Sequence, residues 1–386
     1  MILYWLELKK LLSSVAVWGF IAVCLLFNVY LAVSGSGDKY ADFVGAASNN
    51  TGYILGQSFN EKLSQFTAGD EQAEYLERLK SDTGGVTDVF DGYKTESIGE
   101  SYIAATGVAG SFAEDMRNKY SALQKVVDEK AAKDESLTLY FAAATYNRHQ
   151  QLFNGLTGWL LIEGVLLSAL LVLLSVGYEN NHKTEDIVYS TKKGRSILHS
   201  KITASISAGL GAYAFLALFT FLVYFSANEY GNVWGSSVSS VFNYRNDVIA
   251  GYRPFVTWQS FSVLTYFLAT LGMSLGLILC FSLMAFGIGV FIRNHYLGFL
   301  VFLTANAVFV AIPLQMPNTL KAGFYARYYS MLSPVWLWLK HGIWFTDGDA
   351  DILWPHFETL GLFVSLPVLT AFCLSAAIYF RRRDLT

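Results

Sequence analysis

Six long apolar runs, separated by polar segments, constrain this chain more than any other feature. A helix that crosses ~30 Å of hydrocarbon needs ~20 mostly apolar residues, because its backbone polar groups must be satisfied within the segment itself. Runs of this kind fall at about residues 15–33, 156–176, 204–225, 263–292, 296–312 and 359–380. Composition agrees with that reading. Of the 386 residues, 53% are hydrophobic and 15% charged, against about 25% charged in a soluble domain. The expectation is an all-α integral membrane protein with six transmembrane helices. The fourth run is long enough to tilt, the fifth ends near Pro313, and Pro367 is placed to kink the sixth. Ala32-Val33-Ser34 would pass as a signal-peptide cleavage site, but the length of the first run favours a retained helix.

Charge is concentrated between the first two runs. Residues 35–150 hold eighteen acidic and eleven basic side chains, a net charge near −7. Residues 114–133 are dense in good helix formers, and Asp115–Lys119 and Glu74–Arg78 have i,i+4 spacing. Residues 82–92 have the Gly/Asp chemistry of loops. The insertion reads as a folded, mainly helical domain or a long helical hairpin. Lysine and arginine bias sets the orientation. With the N-terminus in the cytoplasm, inner segments hold Lys9, Lys10, Lys183, Lys192, Lys193, Arg195, Lys201, Arg293 and Arg381 to Arg383. The short outer segments hold only Arg245, Arg253, Lys321, Arg327 and Lys340. The chain divides into 1–34 (an interfacial amphipathic helix or helical extension, then the first span), 35–150 (extracytoplasmic) and 151–386 (the other five spans). Both termini are expected on the cytoplasmic side of the membrane.

Within the last part, residues 314–357 pack Tyr325, Tyr328, Tyr329, Trp336, Trp338, Trp344 and Trp354 into one outer segment, as a headgroup-level or re-entrant element would. Residues 331–343 are expected to form a short helix there. Gating of a path is the functional alternative. The three cysteines all lie in apolar runs, so no disulfide framework supports the insertion. No metal-ligand spacing, phosphate loop, catalytic triad or carboxylate pair is present, so the chain is not expected to be an enzyme or to bind a metal, cofactor or nucleic acid.

The loop 178–203 carries the most information. Thr184 followed by Glu185 and Asp186 suits a helix start. Ile187, Val188 and Tyr189 give that helix an apolar patch, and Gly194 ends it. The run Glu179…Thr184-Glu185-Asp186…Ser190-Thr191-Lys192-Lys193-Gly194-Arg195…Lys201 resembles the coupling-helix loop of bacterial ABC type-2 permeases, the membrane subunits of ABC exporters. The resemblance covers the six-span plan but not the insertion, which is larger than in the simplest members. It implies that Glu179, Thr184, Glu185, Asp186, Ile187, Tyr189, Lys193 and Arg195 contact a separate cytoplasmic ATPase subunit holding ATP and Mg. It further implies a second permease, the same or a related chain, and surrounding membrane lipid. The function it implies is export, and the net-negative insertion points to an amphipathic cargo, a cationic peptide first and a lipid second. A sensor or mechanotransmission subunit without transport is the alternative.

Two motifs lie within the spans. Glu163 is a charge near mid-bilayer in the second run, and such residues face protein or water. It is either a contact in the translocation path or a hydrogen-bonded packing residue. Gly272 and Gly276 form a GxxxG pattern in the fourth run, expected to serve close packing within the chain rather than dimerisation.

Overall fold

The computed structural model describes residues 2–34, 37–142, 145–190, 194, 197–292, 294–315 and 321–382. Helix α1 (Ile2–Leu12) is followed after a break at Ser13 and Ser14 by α2 (Val15–Ser34). The insertion then forms α3 (Lys39–Thr51), α4 (Gln57–Gln65), α5 (Ala73–Thr83), α6 (Glu96–Thr106) and α7 (Ser111–Ala131). The chain returns through α8 (Thr145–His149) and a π-helical turn, Gln150–Leu156, into α9 (Thr157–Asn181). Short α10 (Glu185–Ser190) leads to α11 (Ile197–Ala227). Strands β1 (Tyr244–Asp247) and β2 (Gly251–Pro254) pair antiparallel, with Arg245 opposite Arg253. The chain ends with α12 (Val263–Phe291), α13 (His295–Gln315), α14 (Lys321–Ser330), α15 (Pro334–Leu339) and α16 (Phe357–Arg382).

Six of these helices are long and apolar enough to cross a membrane. The second is longer than the apolar run alone indicated, continuous from Asn147 to Asn181. Helix α13 ends two residues after Pro313, as expected, and α16 continues through Pro367. The small β-ribbon was not anticipated. Its tip is closed by Asp247, whose Oδ1 accepts from the backbone amides of Ile249 (2.9 Å) and Ala250 (2.8 Å), an Asx-type turn.

Helices α9 and α12 form the centre of the bundle, two thirds buried along their apolar windows, whereas α13 is only 17% buried. Small residues allow the close approaches. A Cβ on Gly164 would lie 2.5 Å from the Tyr213 ring of α11, and one on Gly209 would lie 2.9 Å from Ser168 of α9. We call the end of the bundle with α1 and the last turn of α16 the terminal face, and the other the distal face.

The insertion does not stand alone. Its first half shares the main core, through Tyr40, Phe43, Val44, Phe59, Leu63 and Leu79. Its second half builds another core in which Tyr102, Met116, Tyr120 and Leu123 of α6 and α7 meet Val256, Trp258, Tyr328 and Leu353 from the distal segments. Hydrogen bonds from α7 join the insertion to a buried ion cluster of the distal segments. Asp347 receives Arg245 on Oδ1 and Arg253 on Oδ2, each at 2.7 Å, and the Tyr120 hydroxyl donates to Oδ2 at 2.7 Å. The Lys119 ammonium, 2% exposed, donates to the carbonyls of Asp347 (2.9 Å) and Ile352 (2.6 Å).

These contacts correct the helix-surface pairing read from spacing. Lys119 is committed to those two carbonyls instead of Asp115, and Arg78 pairs with Asp82 at 3.8 Å rather than with Glu74. The aromatic segment is corrected too. Trp344, Tyr328 and Trp336 are core side chains, while Tyr325 and Tyr329 are exposed. Instead of one helix over residues 331–343, the structure has α15 and a 3-10 turn, His341–Ile343, with α14 ending before them.

Candidate functional site at the terminal face

Three elements meet under the loop that joins α9 to α11. Glu179 lies in the last turn of α9, Lys201 in the first turns of α11, and Glu7 and Lys10 one turn apart on α1. The Lys201 ammonium is 2.5 Å from Glu179 Oε2 and 3.6 Å from Glu7 Oε2. Lys10 is 2.7 Å from Glu7 Oε1 and 3.4 Å from Glu179 Oε1, and its ammonium lies 4.6 Å from the centre of the Tyr178 ring. The side chains of Glu7, Glu179 and Lys201 are at most 2% exposed, that of Lys10 29%. Two carboxylates and two ammonium groups balance, as buried charge requires. Lys201 also donates to the carbonyl of Ser175. At Lys10 burial works against the charge, but Glu7 and Glu179 outweigh it and hold the ammonium above its ordinary pKa.

The same carboxylate residue anchors the start of α10. The Thr184 amide donates to the Glu179 carbonyl at 3.0 Å, Lys183 turns the chain through a left-handed conformation (φ 54°), and Val188 donates to the Thr184 carbonyl at 3.0 Å. Helix α10 thus hangs directly from the residue that carries the buried ion pair. Ile187 is 70% exposed on it.

The structure therefore brings Glu179, Thr184, Glu185 and Ile187 together at one end of α9. The backbones of Asp186 and Tyr189 lie within α10. The side chains of Asp186 and Tyr189, and all of Lys193 and Arg195, lie outside the described residues. Glu163 is elsewhere, within the bundle. It is 6% exposed, and its Oε2 accepts from Asn28 Nδ2 of α2 at 2.7 Å. That contact is a packing hydrogen bond between two spans. Gly272 and Gly276 separate. A Cβ on Gly276 would strike Leu362 of α16 at 2.6 Å, whereas one on Gly272 meets open space.

No protein-family model, curated protein or solved structure matches this chain. The site must be read from its own geometry. Sequence reasoning gave the N-terminal segment an amphipathic helix but did not join its Glu7 and Lys10 to Glu179 and Lys201. The signal was present: carboxylate and ammonium groups flanking apolar runs in segments that converge on one bilayer face. Asn28, the partner of Glu163, was missed as well, although it is a lone amide in an apolar span.

Proposed function

We propose that the chain is the membrane-spanning permease subunit of an ATP-driven ABC exporter that moves an amphipathic cargo, a peptide before a lipid. One observation carries this reading: an exposed short helix is suspended from a buried, charge-balanced joint that ties two spans and α1 together. A push on α10 is delivered through Glu179 to α9 and through Lys201 to α11. A joint of this kind transmits force because separating its buried charges is far more costly than moving the helices as one body. The ATPase, with its ATP and Mg, is a separate subunit in the cytoplasm. A second permease completes the path, and the insertion lies outside.

Purification from native membranes tests the reading, comparing the wild type with a Glu185→Ala/Ile187→Asp variant. Co-purification of an ATP-binding subunit with the wild type and not with the variant supports it. Recovery of no ATPase with either overturns it.

The alternative, a sensor or mechanotransmission subunit, draws on a different observation. Hydrogen bonds from Tyr120 and Lys119 to the segment around Asp347 tie the insertion to the distal ends of the spans, so a ligand on the insertion would pull on the bundle directly. Transport measured in vesicles with the ATPase supplied separates the two.

A further inference from the structure

A cleft of about 610 Å³ opens on the distal face, far from α10. Its walls come from the π-helical turn before α9, the tip of the β-ribbon and the segment between α15 and α16. The volume is that of a small-ligand site. Gly342 permits the close packing of its floor, since a Cβ there would lie 1.7 Å from Asn154 Oδ1. His341 seals the same corner, its Nε2 3.1 Å from the Asn154 carbonyl and its Nδ1 2.9 Å from that of Trp338.

The wall carries both signs of charge, Arg245 and Lys340 with Asp247, Asp349 and Asp351. Each carboxylate is opposed by a cation of the chain: Asp247 by Arg253 (3.5 Å), Asp349 by Lys340, and Asp351 by Arg327 (Nε to Oδ1, 2.9 Å). The side chains of Lys340, Asp349 and Asp351 are 19%, 30% and 26% exposed. They keep donors and acceptors for a ligand, because a carboxylate accepts about four hydrogen bonds and an ammonium donates three. Within the wall, His149 Nε2 and Arg245 Nε are buried without a hydrogen-bond partner.

The rim is apolar. Val248 and Ile249 occupy the ribbon tip, fully and 40% exposed, and Leu339 is 41% exposed. The turn itself is made by Asp247 and does not need apolar residues at its tip. The cleft also stands where apolar helix meets water. It adjoins the start of the span at Asn147, and Trp336, one turn before Lys340, donates to the Phe309 carbonyl inside α13 at 3.0 Å.

We infer that this cleft binds the head group of a zwitterionic aminophospholipid from the leaflet on the distal side. The primary ammonium meets Asp349 and Asp351, the phosphate meets Lys340 and Arg245, and the acyl chains leave along Val248, Ile249 and Leu339. A polycationic peptide is disfavoured because Arg245 and Lys340 stand among the carboxylates. A purely anionic head group would face three carboxylates. This inference goes beyond the exporter reading and holds whether or not an ATPase binds.

The full-length protein in nanodiscs of equal phosphatidylethanolamine, phosphatidylcholine and phosphatidylglycerol, analysed by native mass spectrometry after extraction, tests it. Retention of phosphatidylethanolamine about tenfold above phosphatidylcholine is expected, because the quaternary head group cannot donate the charge-assisted hydrogen bonds. Asp349→Asn/Asp351→Asn should abolish the preference. Val248→Glu changes a fully exposed side chain, so it should weaken retention without altering thermal melting, and it decides the matter if the double variant fails to fold. Equal retention of the three lipids overturns the inference. So does retention that Val248→Glu leaves unchanged.

Discussion

Glu179 and Lys201 stand on opposite sides of the loop that carries α10, yet their charged groups lie 2.5 Å apart with both side chains buried. The pair makes the end of α9 and the start of α11 one mechanical unit, with α1 strapped across it through Glu7 and Lys10. Removing one partner leaves an uncompensated buried charge. Lys201→Met is expected to destabilise the protein by about 3–5 kcal/mol. The double variant Glu179→Gln/Lys201→Met should recover most of that loss. Thermal melting of the four proteins in detergent gives the cycle, and additive losses would show that the two groups do not act as a pair.

At Ile187 the expected outcome separates stability from association. The side chain is 70% exposed, so Ile187→Asp should move stability by less than about 0.5 kcal/mol. The same variant should lose any ATPase that co-purifies with the wild type. A fall in melting temperature instead would assign Ile187 to the fold.

The insertion carries a pH dependence. Burial, opposed in part by Asp347 and Asp349, pulls Lys119 down to about 8, whereas an unfolded chain keeps lysine near 10.4. Between those values the unfolded state binds more protons, so stability rises with pH across that window. The cost is greatest below about pH 8, where Lys119 is charged in both states. Across the whole window the rise should amount to roughly 3 kcal/mol at 1.36 kcal/mol per pKa unit. Melting curves from pH 7.5 to 9.5 should show it, and Lys119→Met should flatten it.

Asp347 is the hub of the distal ions. Asp347→Asn would leave Arg245 and Arg253 buried beside a neutral amide, with about 3–5 kcal/mol lost. Limited proteolysis should then cut the α6–α7 region faster than the spans. Unchanged protection would remove Asp347 from its assigned role.

Glu163→Gln retains a carbonyl oxygen for Asn28 and should cost under about 1 kcal/mol, while Glu163→Ala should cost about 1–3 kcal/mol by orphaning the amide. If Glu163 serves packing alone, the Gln variant also transports normally. Transport lost in a stable Gln variant would make it a path residue.

Much of the bundle was legible because hydrocarbon imposes a length and a polarity on each span. Residues 263–292 were located almost to the ends of α12. What the apolar runs missed was helix continuing beyond them, as at residues 147–155, where Leu152 and Phe153 are outnumbered by polar side chains. The β-ribbon escaped because Tyr244–Asp247 is too short for alternation to register. Lys119 was misread for a related reason. Spacing on a helix identifies neighbours on its own surface, and the partners of Lys119 are carbonyls of a segment more than two hundred residues away. The loop chemistry of Thr184 to Ile187 was read from local preference, but the ionic joint beneath it depends on three distant segments meeting.

The shared second core dictates an order of assembly. Helices α6 and α7 are synthesised well before Val256, Trp258, Tyr328 and Leu353, the residues that cover them. Their apolar faces must therefore wait through two further spans for Val256 and Trp258 and through four for Tyr328 and Leu353, an interval in which exposed apolar surface invites misassembly. The last piece supplied, Leu353 just ahead of α16, closes the core. A nascent chain stalled before that point would carry a finished bundle of five spans and an unfinished insertion.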